Sequence, residues 1–464
     1  MGIRYKTYAT WATVVLLSIG AFQLGSALRD HEDRPTAKAM ASMQASALLK
    51  LTPESSPVTV DTSKQGPGQD RELVSTVVRL LKAHYVEPVT QDKETAMARG
   101  AVRGMVESLN DPDSRFLDPS ERHLLDDAAV GKFHGIGAIF ALKKEKIGDL
   151  DEVKLTIITP MPGSPAQKAG LKPGDAITFV NDKWIISHDP FKEAHLEELA
   201  RAVRNKEADG LTYQKAFEAA VKRLKDGMTI MDALEAVTSK SVGEVSIRVE
   251  RAGESKPMDM KIPCRNTIVE PVTNQSVDRG IAYIRVAQFN RNAPALFTTL
   301  LNRAINNHAK ALILDLRNNP GGLVDAAADV VGKIIGGGVI GVIQTNADRK
   351  PLRKARTRKL GIPVVVLVNE GTASVAELAA GTLKDAGCAT LVGVKTFGDG
   401  LIQTPLLLKD GSAAILTTGK MLTMKGTDFN GKGISPDREV RQDAKKDTQR
   451  EEATKLLLSK IGKA

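Results

Sequence analysis

Three stretches of the sequence hold residues able to do chemistry. Ser374 stands where an apolar run, residues 364–368, gives way to a helical pattern over 373–386. A serine at such a strand-to-helix junction holds its hydroxyl in the crevice at the strand's carboxyl end, where the helix N-terminus favours developing negative charge. The same position suits a helix-capping serine with no chemistry, so Ser374 alone leaves both readings open. The second stretch, Asp315-Leu-Arg-Asn-Asn-Pro-Gly-Gly322, is a strand running into a glycine turn. The third, Val392-Gly-Val-Lys-Thr-Phe-Gly-Asp399-Gly-Leu-Ile-Gln403, brings Lys395, Asp399 and Gln403 close together. Other chemistries find little support. None of the seven histidines sits in an H-E-x-x-H, and there is no convincing G-x-S-x-G elbow. Cys264 and Cys388 are too few for a disulfide framework or a four-cysteine zinc site, and read as buried thiols, with one bridge left open. No metal and no cofactor is expected. Gly336-Gly-Gly-Val-Ile-Gly341 has dinucleotide-fingerprint spacing but follows a helix and precedes a strand, the reverse of that motif.

Taken together, the three stretches resemble the tail-specific, C-terminal processing serine proteases. Tyr85-Val-Glu-Pro88 and Ser108-Leu-Asn-Asp-Pro-Asp-Ser-Arg-Phe-Leu117 fit the same family, and the resemblance runs from about residue 71 to 437. It implies a serine endopeptidase with Ser374 as nucleophile, three residues before Glu377. It implies an oxyanion hole from the N–H groups of Gly321, Gly322 and Val375, and a lysine base kept neutral by desolvation. Here the sequence departs from the family. The lysine of F-G-K-G is replaced, in Phe397-Gly398-Asp399-Gly400, by Asp399. A carboxylate of pKa near 4 is a far weaker base toward a serine hydroxyl. Gln403, which supports the lysine in relatives, is retained; Lys395 is a substitute base or a structural residue. The alternative reading is a non-proteolytic, peptide-binding scaffold protein.

A second resemblance lies within the first. Met161-Pro-Gly-Ser-Pro-Ala-Gln-Lys-Ala-Gly-Leu-Lys-Pro-Gly-Asp-Ala-Ile177 is similar to the centre of a PDZ domain. That implies that Gly135, Ile136 and Gly137 offer backbone N–H groups to a peptide's C-terminal carboxylate, while the peptide adds a strand to the sheet edge. The partners implied are protein or peptide substrates with free C-termini.

The elements that must position these residues follow from period and punctuation. The expected fold is α+β and multidomain: N-terminal helices over 71–130, a PDZ domain over 131–265, and an α/β sandwich protease core over 266–440. A helical insertion at about 190–226, beyond what the PDZ pattern needs, packs on that domain or forms a lid over its groove. Residues 441–464 read as a charged C-terminal tail with a helical end. At 464 residues the chain exceeds one core, and 42% hydrophobic residues exclude a disordered chain. Aromatics at 4% argue against nucleic-acid stacking platforms. The net charge of +10 favours anionic surfaces rather than DNA at this length. Arg4 and Lys6 precede a run without charge, residues 9–28, read as a signal peptide or membrane anchor, with 29–70 a flexible linker. The expectation is an exported protein of the bacterial periplasm or envelope, on the inner membrane if the anchor is retained. An oligomer is compatible with the sequence. The basic run Arg349, Lys350, Arg353, Lys354, Arg356, Arg358 and Lys359 reads as a loop between strands, solvated or in contact with anionic lipid or substrate.

Overall fold

The computed structural model describes residues 69–462 except 110, 112, 149, 240–242 and 444. The expected anchor at 1–28, and the linker up to residue 68, lie outside the described residues. Among the described residues no helix is long and apolar enough to cross a membrane. The described residues divide into two compact units, with the boundary between Phe116 and Leu117.

In the first unit, α1 (Gln69–His84) and α2 (Gln91–Glu107) are linked by a Lys82–Glu94 ion pair of 2.6 Å. Thr90 caps α2 by accepting from the Lys93 N–H. The short β1 (Arg115–Leu117) spans the boundary between the units.

The second unit opens with α3 (Pro119–Ala129) and β2 (Lys132–Phe133). A sheet follows, from β3 (Ala138–Ile147), β4 (Leu150–Pro160), the one-turn α4 (Pro165–Lys168), β5 (Ala176–Val180) and β6 (Lys183–Trp184). The insertion is three helices, α5 (Pro190–Glu193), α6 (Leu196–Arg204) and α7 (Gly210–Asp226). The domain resumes with α8 (Ile230–Thr238), held by a Thr229–Asp232 capping box, then β7 (Gly243–Glu250) and β8 (Met258–Cys264). The strand order is β3-β4-β5-β7-β8, so β3 is an edge strand. Leu155, Ile157, Val180, Val237 and Val249 fill its core. The insertion closes on β6: the Arg223 guanidinium lies 4.0 Å from the Trp184 ring, and Glu193 pairs with Arg223 and His188. Together, the cation–π contact and the ion pairs favour packing on the domain over a free lid.

Past β9 (Thr267–Ile268), which pairs antiparallel with β2, the chain alternates as expected. In order come β10 (Val272–Asp278), β11 (Ile281–Val286), α9 (Ala293–Asn306), β12 (Ala311–Asp315), α10 (Val324–Ile335) and β13 (Gly338–Gln344). Next are β14 (Arg349–Lys354), β15 (Val364–Val368), α11 (Val375–Asp385), β16 (Ala389–Gly393), β17 (Leu401–Leu407), β18 (Ala413–Leu422), β19 (Arg438–Glu439) and α12 (Thr448–Ile461). The main sheet runs β10-β11-β12-β15-β16-β19, parallel throughout except for β10. Strands β17, β18, β13 and β14 pair antiparallel in a second sheet.

Every residue of β15 is buried, because both faces of a parallel sheet are covered. Val364, Val366 and Val368 pack with α10 and α11. Val365 and Leu367 face the other way, against Ala453 and Leu457 of α12. The segment read as a charged tail is therefore in part a layer of the core. The basic run differs too: its first half is strand β14, not loop. Cys264 and Cys388 are both free thiols.

Candidate active site

The serine loop leaves β15 and turns on side-chain amides. Asn369 Oδ1 accepts from the N–H groups of Asn318 (2.8 Å) and Gly371 (3.2 Å), while its Nδ2 donates to Asn318 Oδ1 (2.8 Å). The Thr372 hydroxyl donates to the Leu316 carbonyl at 2.8 Å. Asn319, fully buried, accepts from Ala373 N–H through its carbonyl and donates from Nδ2 to Val286 O. The ends of β12 and β15 are thus locked together. The PDZ domain reaches this loop as well, since a Cβ on Gly371 would lie 2.9 Å from Pro173 Cγ.

Ser374 follows with φ 55° and ψ −126°, a conformation that costs a non-glycine residue about 1–3 kcal/mol. It is half-buried at the N-cap of α11, where its N–H donates to the Glu377 carboxylate (3.0 Å) and its carbonyl accepts from the Glu377 N–H (2.9 Å). This is a capping-box arrangement, so Ser374 has a capping role in the fold whatever chemistry its hydroxyl does. Strain of this kind holds a side chain out of the turn that follows it, as in nucleophile elbows. Gly321 and Gly322 line the same crevice at φ +102° and +128°. A Cβ on Gly321 would stand 2.8 Å from Ser374 Cβ, and one on Gly322 2.4 Å from the Phe289 carbonyl oxygen. Only glycine fits either place. The Gly321 N–H is engaged, donating to Asn319 Oδ1 at 2.8 Å. For Gly322 and Val375, whose N–H begins α11, no bond to a described residue occupies the N–H.

Glu377 ties this loop to the third stretch. Its Oε2 accepts from the N–H groups of Ser374 (3.0 Å) and Asp399 (2.8 Å). Its Oε1 accepts from the Thr396 hydroxyl (2.5 Å) and the Gly398 N–H (2.8 Å). Two N–H groups sharing one acceptor oxygen lie within about 6 Å of each other. The structure thereby brings Asp399 beside Ser374. Lys395 is exposed, and its neighbour Thr396 is the residue turned inward. Gln403 is half-buried on β17.

The sequence matches Peptidase family S41 over residues 280–440, a PDZ domain over 135–208, and the Activating protease CtpB N-terminal domain over 36–120. It is 32% identical over 359 residues to the Carboxy-terminal processing protease CtpA of Bacillus subtilis (strain 168), covering 77% of this chain and 66% of that one. It is also 32% identical over 374 residues to a Probable CtpA-like serine protease of Staphylococcus aureus (strain MRSA252), covering 78% and 63%. The chain thus spans 63–66% of the length of these relatives. Among solved structures, a photosystem II D1 C-terminal processing protease superposes with TM-score 0.60 at 25% identity, covering 84% of this chain and 97% of that one. The chain belongs to the PDZ-containing, C-terminal processing serine protease family.

The PDZ match ends inside the insertion, yet the sheet of this family member continues through β7 and β8. Its Gly135–Gly137 loop packs on the end of the groove helix α8. Ile136 N–H donates to the Val237 carbonyl (2.9 Å), and Gly135 accepts from Arg265 N–H (2.8 Å).

Sequence reasoning used Glu377 only as a spacing marker and missed its role as common acceptor. Burial pushes its carboxyl from an ordinary 4.5 up to about 7, against donors that favour the charged form and with the nearby Asp399 carboxylate raising it further. The raised value means that stability is full below pH 4.5 and declines as pH rises through 7, by about 3 kcal/mol at most. Glu377→Gln should remove that slope. It should also cost about 1–3 kcal/mol at pH 5, because the amide turns an NH2 toward two of the four donors. Denaturant midpoints between pH 5 and 8 measure both effects; an unchanged slope would contradict the assignment.

Proposed function

We propose that the chain captures free protein C-termini in the groove between β3 and α8 and presents them to Ser374, which cleaves them slowly for want of a base. The reading rests on one observation: the backbone N–H groups of Ser374 and Asp399 share the Glu377 carboxylate, which sets the two positions side by side, and the second position, where the family has its lysine, holds an aspartate. Ser374 would attack the scissile carbonyl. Gly322 and Val375 would donate to the oxyanion, helped by the N-terminus of α11. Gly321, its N–H engaged, would act by leaving room for the substrate. Lys395 is exposed, and its neighbour Thr396 is the residue that bonds Glu377, so the base position is left to Asp399. We place the protein at the cell envelope, with residues 9–28 as its export signal or tether.

An unassisted hydroxyl should cleave unfolded casein at a rate rising about tenfold per pH unit, without a plateau, and Ser374→Ala should abolish it. A fluorophosphonate should label Ser374 with the same pH dependence. The same carboxylate favours a second reading, a non-proteolytic PDZ protein that binds peptides. Casein turnover indifferent to Ser374→Ala, with no label, would establish it.

Capture has its own test. Among the described residues no bond takes the N–H of Gly135 or Gly137, while that of Ile136 is held by Val237. Peptides with a free apolar C-terminus should bind, and amidation should weaken binding by about 1–3 kcal/mol. Equal anisotropy-derived affinities would remove these glycines from the site.

A further inference from the structure

The basic run at 349–359 is used by nothing described so far. Two of its seven charges are neutralised: Lys350 pairs with Asp348 at 2.6 Å, and Lys354 with Asp329 at 2.9 Å and Asp325 at 3.6 Å. Arg349, Arg353, Arg356, Arg358 and Lys359 are exposed and form no ion pair among the described residues. The backbone beneath them is fixed. β14 pairs with β13 along its length, and Leu352 packs against the core, so Arg349 and Arg353 stand on the outer face. Beyond the strand, Thr357 N–H donates to Gly336 O (2.9 Å) and Leu360 N–H to Ile334 O (3.1 Å), stitching the chain to the end of α10. Gly337, at φ +74°, allows this approach, since a Cβ there would lie 2.0 Å from Ala355 O. The glycine run that mimics a nucleotide fingerprint is therefore a seat for the basic segment. Arg349 Nη2 reaches over the Gly426 turn, next to exposed Lys425.

We propose that β14 and the segment after it form a docking surface for an anionic lipid bilayer, with Arg349, Arg353, Arg356, Arg358 and Lys359 contacting headgroup phosphates. Guanidinium groups match phosphate oxygens two at a time. A backbone held in place loses little freedom on docking. The features that an acidic polypeptide would use are missing from the patch. β14 is an edge strand, but Pro351 removes an N–H from its middle, and flanking lysines and arginines block strand addition. Residues 349–359 contain no aromatic side chain to hold a partner's side chains. A headgroup layer needs neither. The charge-free run at 9–28, expected at a membrane from sequence, would bring the surface to it.

The test uses the full chain with phosphatidylcholine vesicles, with and without phosphatidylglycerol, so that any insertion by the N-terminal run is common to both. Each basic residue near an anionic surface strengthens binding about fivefold, so three engaged together give a preference on the order of 100-fold. Replacing all five by Gln should lower the phosphatidylglycerol preference at least about tenfold, and salt should do the same. The control removes equal charge from the insertion: Arg204→Gln, Lys206→Gln, Lys215→Gln, Lys222→Gln and Lys225→Gln, which should keep the preference. Should the patch variant misfold, hydrogen exchange of the unmodified chain decides, with slowed amides at 349–360 expected only on anionic vesicles. The proposal is overturned if the patch variant keeps the full preference, or if the insertion variant loses it. Polyglutamate binding to the patch with no vesicle preference would also overturn it, assigning the surface to an acidic polypeptide.

Discussion

Asp399→Lys should raise cleavage of an unfolded substrate by roughly 10²–10⁴-fold, the range that a positioned general base contributes. Adding Ser374→Ala should return it to background. The substitution starts from a backbone that is already placed. Asp399 N–H is held by Glu377, and Gly400 N–H by Asn430 Oδ1 at 3.0 Å, so a lysine would leave the chain from the same half-buried point. Two influences oppose each other on its amine. Partial burial favours the neutral form that can accept a proton, while a charged Glu377 nearby favours the ammonium. The double environment sets the profile: the variant's rate should level off above the lysine's pKa, where the unmodified chain's keeps climbing with hydroxide. The decisive measurement is a pair of pH–rate profiles with Lys395→Ala and Asp399→Asn beside them. If the unmodified chain cleaves strongly, and loses activity in Lys395→Ala but not in Asp399→Asn, the base is Lys395 and the present account of the site fails.

What the sequence discloses depends on whether a residue's role is local. The PDZ run at 161–177 is legible because its turn, one-turn helix and glycine stop are all short-range, and they appear as α4 and β5. The junction at Ser374 is legible for the same reason, since an apolar strand and a helical period meet there. Long-range partners are not legible. Asn319 reaches both Val286 and Gly321, and nothing in its neighbourhood says that it engages a glycine N–H expected to face the substrate. Glu377 can be counted three residues from Ser374, but its bonds to Thr396, Gly398 and Asp399 cross about twenty residues. A helical end to the tail is legible, but its place as a buried layer of the core is hidden by composition. The helix buries Ala453 and Leu457, with Leu456, Leu458 and Ile461 partly covered beside them, while its first turns are polar, so the apolar stripe is short. The signal lay elsewhere, in the unbroken apolar run of β15. Val364, Val366 and Val368 could be covered by the helices read from the sequence, but Val365 and Leu367 needed a second layer that only α12 supplies.

Arg317→Ala should loosen that second layer and destabilise the core by about 3–5 kcal/mol, the cost of leaving a buried charge without its partner. Asp315, 1% exposed at the end of β12, pairs with Arg317 at 2.7 Å and accepts from the Tyr283 hydroxyl at 2.5 Å. The same guanidinium extends to Asp447, at 2.6 Å and 2.9 Å, and to Gln449 at 3.2 Å. Asp447 in turn caps α12 by accepting from Arg450 N–H, and the Arg450 guanidinium lies 4.5 Å from the Tyr283 ring. Burial pushes the Tyr283 hydroxyl up, and the Asp315 charge pushes it further, so the phenol stays a donor at any ordinary pH. One side chain therefore holds a buried carboxylate and the start of α12 at once. Its loss should appear first as faster hydrogen exchange across Thr448–Ile461 and then in β12 and β15. The serine loop should follow, because Asn318 and Asn319 hang from the same strand end. Asp447→Asn is the comparison. It leaves the Asp315–Arg317 pair intact and replaces a partly exposed carboxylate, so it should cost about 1 kcal/mol or less. Equal destabilisation by the two substitutions would mean that Asp315 finds another partner when Arg317 is removed, and that α12 is held by its apolar contacts alone.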